Sequence, residues 1–146
     1  MKIKLVKFLR IEKPNFKLPA KLNNVVVVCS GGVGDILLTT PAIRSIKESH
    51  PQCHITAIVH HKRSDILKFN PHVDEILFLK KSLLHYVKIF RHLKADPPEV
   101  GIFFHTNDFY IYCLVFLVLP GNLIGFNSLN PFTFLLGKML TFDDEL

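Results

Sequence analysis

The sequence has no tryptophan, no C-x-x-C pair and no apolar run long enough to cross a membrane. Its longest apolar run, Phe109 to Leu119, is eleven residues, about half of the roughly 20 that a span requires. It reads as a buried helix. Three cysteines (Cys29, Cys53 and Cys113) lie far apart and are odd in number. That excludes a disulfide framework or a zinc knuckle and fits the reduced thiols of a cytosolic protein, with Cys29 and Cys113 as small core residues. No secretory signal is visible, because lysine and arginine interrupt the apolar residues of the N-terminus and no small-residue cleavage site follows. His50 and His54 are four residues apart, but Pro51 and a strand starting at His54 separate them, so no metal site is expected.

The body of the chain also lacks net charge. Residues 1–24 hold seven basic groups and the single acid Glu12, giving +6, while residues 25–146 hold eleven basic and eleven acidic groups. A nucleic-acid-binding body needs a basic face of its own, so nucleic acid is not an expected partner. The arm, residues 1–24, has two readings. It is a basic amphipathic segment for an anionic membrane surface, or an extension packed on the domain with its lysines solvated.

With 49% apolar residues and 146 positions, one well-packed domain is expected over residues 25–146. Val25 to Cys29 is a continuous, mostly β-branched run, as in a strand buried on both faces of a parallel sheet. A glycine turn follows, then a helical pattern from Asp35 to Ser49. Further strands are predicted at His54–His60, Glu75–Leu79, Val100–Phe104 and Leu123–Phe126. Between them lie a short helix, Ser64–Phe69, with Ser64 as its cap, and helices over residues 82–93 and 109–119. Strands alternating with helices build right-handed βαβ units. The expected fold is therefore α/β: a Rossmann-like parallel sheet with helices on both faces.

The segment Cys29–Pro41, CSGGVGDILLTTP, stands at the carboxyl end of the first strand, where open α/β sheets bind ligands. Gly31, Gly32 and Gly34 permit positive φ and close backbone approach. Their N–H groups and the following helix start suit a polar or anionic ligand group. Asp35 closes the turn, either as a helix cap or as a general base facing the crevice. G-G-x-G-D is not G-x-G-x-x-G, and the second strand ends in His60-His61 rather than an acid. Nor is there a G-x-x-x-x-G-K-[ST] segment. Nicotinamide and P-loop chemistry are both poorly supported, and no cofactor is expected.

GGVGDILLTTPAIRSIKESHP followed by HITAIVHHKRSDILKFNPHVDEILFL resembles the opening of family 9 glycosyltransferases, the group containing ADP-heptose:lipopolysaccharide heptosyltransferases. The G-D-[IVL]-[IVL]-[LM]-[TS]-[TL]-P-[AV]-[IL]-R motif, an hPxaxI segment leading into a strand and an NPxVDE turn occur in order over residues 25–80, and IGFN (Ile124–Asn127) echoes a later element. The resemblance implies the N-terminal, acceptor-side half of a two-domain B-type glycosyltransferase fold. It also implies inverting, metal-independent transfer of a sugar, heptose in the named group, from a nucleotide sugar such as ADP-heptose. The acceptor would be a lipid-linked saccharide of the lipopolysaccharide type, and the location the cytoplasmic face of the membrane. On this resemblance Asp35 becomes the general base. Thr39 and Thr40 match the motif's hydroxyl positions, with packing inside the helix as the equal alternative. His60 at the second strand end, and His105 and Asn107 after the fourth, fall at crevice positions suited to acceptor contact. The donor-binding half lies beyond this sequence. The chain then reads as the front part of a transferase, or as a non-catalytic acceptor-binding or membrane-surface module, or as an inactive truncated product.

Overall fold

The computed structural model describes residues 19–106, 108–119, 122–126 and 138–140. Strand β1 spans Asn24–Cys29 and leads into helix α1, Val33–Ser49. Strand β2 (His54–His60) runs directly into a 3-10 helix, His61–Ile66, and on to β3 (Glu75–Leu79) and α2 (Leu83–Ala95). Strand β4 (Val100–His105), α3 (Phe109–Val118), β5 (Leu123–Phe126) and β6 (Lys138–Leu140) complete the order. The strands form one sheet in the order β3-β2-β1-β4-β5-β6, and every neighbouring pair is parallel. The expected α/β architecture is what the chain adopts.

The valine run explains the centre of the sheet. Successive strand side chains alternate between faces, and in β1 both faces are dry: Val25, Val26, Val27 and Val28 are all fully buried. Val25, Val27 and Cys29 pack with Ile36 and Ile43 of α1 and with Leu67, while Val26 and Val28 pack with Ile89 and Leu93 of α2 and Ile111 and Val115 of α3. Helices thus cover both faces. Leu22 joins the core and Asn23 hydrogen-bonds Glu99 through both its backbone and its side chain, so the folded body takes in residues ahead of position 25. Residues 1–18 of the arm lie outside the described residues.

Two local expectations change. The short helix after β2 is of the 3-10 type and begins at His61. Its cap is the His60 side chain, because the Ser64 hydroxyl donates to the His61 carbonyl instead of facing a free N–H. Helix α1 starts two residues before Asp35, so Pro41 sits in its interior and has no N–H for the Leu37 carbonyl four residues back. The Thr40 hydroxyl donates to that carbonyl at 2.7 Å. The NPxVDE turn is a brace: Asp74 accepts from Lys47 Nζ at 2.8 Å and from the Ile55 N–H at 2.8 Å, tying the end of α1 to the start of β2. Partial burial opposes the charge of Asp74, but these donors outweigh it and hold the carboxyl below its ordinary range.

Candidate functional site

The strand order reverses at β1, which has β2 on one side and β4 on the other. The crevice outside the carboxyl ends of these strands is where an open α/β sheet binds. Ser30 to Asp35 occupy it. Against the expectation of positive φ, none of Gly31, Gly32 and Gly34 adopts it, and Gly32 has φ −67° and ψ 174°. At Gly31 the requirement is space. A Cβ there would stand 2.6 Å from Asp35 Oδ2, 2.9 Å from Asp35 Cβ and 2.9 Å from His105 Cδ2. Gly34 has nothing within 4 Å of an added Cβ, so its space imposes no such demand.

Asp35 is the third residue of α1. Its Oδ2 accepts the Gly32 N–H at 2.6 Å, the reciprocal half of a capping box. The carboxylate therefore takes up one of the loop donors expected to face a ligand. His105 approaches the same oxygen, Nε2 to Oδ2 4.0 Å, with both side chains partly open to solvent. The register between β1 and β4 slips by one residue so that Cys29 pairs with His105 while Val28 pairs with Phe103, which brings His105 level with the glycine loop. From the other side Arg63 of the 3-10 helix donates to the Gly31 carbonyl at 2.8 Å and fixes the loop's outer edge.

Beside this loop opens a cleft of about 670 Å3, in the range of small-molecule sites. It is lined by Ser30 next to the glycine loop, by His60 and Leu79 at two strand ends, and by Lys81, Tyr86, Phe109 and Tyr110. Asp108 also lines it. This residue caps α3, accepting from the Tyr110 N–H at 3.0 Å and the Ile111 N–H at 3.4 Å, and its other oxygen accepts from the Tyr86 hydroxyl at 2.8 Å. Burial, then the bond to Asp108, raises the pKa of Tyr86 well above the ordinary phenol value. The Asp108 N–H donates to Thr106 Oγ1 at 3.2 Å, and Thr106 in turn hydrogen-bonds Ser30. The ends of β1 and β4 and the starts of α2 and α3 are joined by one polar chain. Burial lowers the pKa of His60, and its neighbours His61, Arg63, Lys62 and Lys81 lower it further.

The predicted site residues divide accordingly. Gly31, Gly32, Asp35 and His105 come together at the loop, and Gly34 lies in the first turn of α1. His60 lines the adjoining cleft. Thr39 is buried, its hydroxyl donating to the Ile36 carbonyl at 2.6 Å and accepting from Cys29 Sγ at 3.6 Å, which places it in the helix packing. Thr40 repairs the helix beside Pro41. Asn107 lies outside the described residues. Sequence reasoning missed Ser30, Arg63, Lys81, Tyr86 and Asp108. Only Asp108 carried a local signal, an Asp directly before an apolar helical run. Among the described residues no group of three or more His, Cys, Asp or Glu is arranged to hold a metal ion.

The sheet order and the loop at its switch point define a Rossmann-like α/β domain. The sequence matches no protein-family model and no curated protein. Solved structures do match. The glycosyl transferase family 9 structure from Veillonella parvula DSM 2008 superposes with a TM-score of 0.62 at 22% identity, over 75% of this chain and 33% of that one. The E. coli heptosyltransferase WaaC with ADP gives 0.65 at 17% identity, over 81% of this chain and 40% of its own. WaaC with ADP-2-deoxy-2-fluoro heptose gives 0.66 at 16%, over 81% and 42%. At these identities the likeness shows the fold, and it is the fold of the family that the sequence motifs resemble. This chain spans 33–42% of the length of those structures.

Proposed function

We propose that this chain is the acceptor-side part of an inverting, metal-independent glycosyltransferase of the family 9 type. In this reading an acceptor hydroxyl of a lipid-linked, lipopolysaccharide-type saccharide lies against Asp35. The carboxylate takes the hydroxyl proton as the oxygen bonds to the anomeric carbon, and the bond from that carbon to the nucleoside diphosphate breaks on the opposite face. The donor, ADP-heptose by resemblance, is bound by a half outside this chain. Gly31, Gly32 and Gly34 shape the approach to Asp35, while His60, His105 and Asn107 contact the acceptor. The basic arm, residues 1–24, keeps the protein at the inner face of the plasma membrane.

The observation carrying this proposal is the juxtaposition of Asp35 and His105 over a glycine that has no room for a side chain. An acid needed only as a cap would not require a histidine from another strand beside it. The test is transfer from ADP-heptose to a deacylated core saccharide, measured with the product as the cell makes it. Asp35→Asn keeps an acceptor atom for the Gly32 N–H and removes the base. It should lower kcat by about 10²–10⁴-fold, the usual worth of a positioned base. Transfer within twofold of the unsubstituted protein would reject Asp35 in that role.

One observation favours a second reading, an acceptor-binding module without catalysis. Ser30, His60, Lys81, Tyr86 and Asp108 give the cleft a polar lining that a saccharide can meet. Acceptor binding that survives Asp35→Asn, with no transfer by the unsubstituted native product under any donor supply, would select it.

A further inference from the structure

The N-terminal part of α2 and the start of α3 carry apolar side chains that the core does not use. The buried face of α2 is Ile89 and Leu93, whereas Leu83 is 79% exposed and Leu84 61%. Tyr110, 67% exposed, extends the same surface from α3, its ring 5.5 Å from that of Tyr86. Phe109 lies beside it, and Val87 is one turn along α2 from Leu83 and Leu84. Apolar side chains grouped in this way on a folded body mark a contact surface.

The charge that α2 and the three residues before it carry beside the patch is of one sign. From Lys80 to Ala95 the sequence KKSLLHYVKIFRHLKA holds Lys80, Lys81, Lys88, Arg91 and Lys94 and no acid, and α3 holds no ionised residue. Asp108, the acid nearest the patch in sequence, is occupied by Tyr86 and the α3 cap. Lys81 lines the cleft together with Leu83, Phe109 and Tyr110, and Lys80 and Lys88 line a second groove with Ile76 and Phe78 of β3. A folded protein surface complementary to five cations would need a matching acidic cluster. A bilayer of anionic phospholipid supplies both the negative charge and the apolar layer beneath it.

We infer that Leu83, Leu84, Val87, Phe109 and Tyr110, flanked by Lys80, Lys81, Lys88 and Arg91, form a docking face for an anionic phospholipid surface. The leucines and aromatic rings enter the headgroup boundary and the lysines stay at phosphate level. The face belongs to the folded body and is distinct from the basic arm. It adjoins the mouth of the cleft, which places that mouth at the membrane. The inference stands whether or not the protein transfers a sugar.

The test is sedimentation of the full chain with vesicles of phosphatidylglycerol and phosphatidylcholine, against phosphatidylcholine alone. The unsubstituted chain should bind the mixed vesicles. Lys80→Glu with Lys81→Glu should weaken binding by at least about tenfold, since each lysine at such a surface contributes roughly fivefold. Leu83→Ser with Leu84→Ser should weaken it as well, and because all four side chains are exposed the fold should survive. The chain has no tryptophan, so Leu84→Trp introduces a single reporter. Its emission should move to shorter wavelength on adding the mixed vesicles and be quenched by brominated lipid. Two results would overturn the inference. In one, all variants sediment like the unsubstituted chain and Leu84→Trp emission stays unchanged, which assigns binding to the arm alone. In the other, Leu84→Trp in the native product is already shielded before lipid is added, which assigns the face to a protein partner.

Discussion

Replacing Gly31 by alanine is the sharpest single test of the loop geometry. The new Cβ would meet Asp35 Oδ2 at 2.6 Å, Asp35 Cβ at 2.9 Å and His105 Cδ2 at 2.9 Å. Rotating the Asp35 carboxylate relieves the first contact, and His105, more than half exposed, can swing away from the third. Asp35 Cβ is fixed to the helix backbone, so the second contact forces the loop itself to shift. That shift pulls the Gly32 N–H from Oδ2, a lost cap of about 1 kcal/mol, and adds overpacking strain of at least about 1 kcal/mol. The sum, about 2 kcal/mol, lowers the Tm of a domain this size by roughly 6–10 °C. Transfer should suffer more, because about 1 Å of misplacement at a reacting group costs on the order of 100-fold. Gly34→Ala is the matched control. With nothing within 4 Å of its Cβ and a place in the first turn of α1, it should melt at or above the unsubstituted temperature, by up to about 1 kcal/mol of helix propensity. The two variants are compared by thermal melting followed by circular dichroism. A Gly31→Ala protein that melts with Gly34→Ala and transfers normally would refute the close packing of loop, acid and histidine.

Thr40→Val leaves the Leu37 carbonyl beside Pro41 without its hydroxyl donor, and should cost about 1 kcal/mol in denaturant unfolding with little change in transfer. Burial pushes the Cys29 thiol up to about 11. The unfolded thiol ionises first, so stability present below about pH 8.5 should fall as pH rises toward 11. Cys29→Ala should remove that part of the alkaline slope. In the native state Cys29 should resist iodoacetamide at pH 8 while half-buried Cys113 reacts first. Asp108→Ala removes both the α3 cap and the Tyr86 partner, and should destabilise by about 2–3 kcal/mol. Tyr86→Phe added to it should cost almost nothing further, a non-additivity that a double-mutant cycle reads directly.

The sheet was legible because its central strand is extreme. Four valines in succession leave no solvent face, and a strand dry on both sides needs helices above and below. The glycine loop was legible in position and misread in mechanism. Its glycines suggested positive φ, but Gly31 is needed for space, against Asp35 four residues on and against a histidine 74 residues later that no local pattern contains. The same separation hid the Tyr86–Asp108 bond and the Ser30–Thr106 contact, 22 and 76 residues apart. Thr39 and Thr40 were separable in principle. Thr39 is three residues after Ile36 and four before Ile43, on the buried stripe of α1, while Thr40 precedes the proline whose missing N–H it offsets. The helix after β2 was expected three residues too late and not as a 3-10 helix, and β6 gave no usable signal, since three residues of strand are too short for periodicity to register.

Capping and catalysis look like competing explanations for Asp35, yet the atoms divide between them. Oδ2 accepts the Gly32 N–H and faces His105, while Oδ1 has no partner among the described residues. A base must present one oxygen in a fixed direction, and a carboxylate free to spin loses that advantage to rotamer entropy. The bond to Gly32 removes the freedom. In the proposed mechanism the cap is the device that holds the carboxylate for proton transfer, and Gly31 is the clearance that this placement requires. The two substitutions at Asp35 then differ. Asp35→Asn should melt near the unsubstituted protein because its carbonyl oxygen still takes the Gly32 N–H, whereas Asp35→Ala should lose about 1 kcal/mol as well as transfer. Equal stability losses in both would mean that the cap needs the charge rather than an oxygen, and would detach the helix end from the placement of the carboxylate.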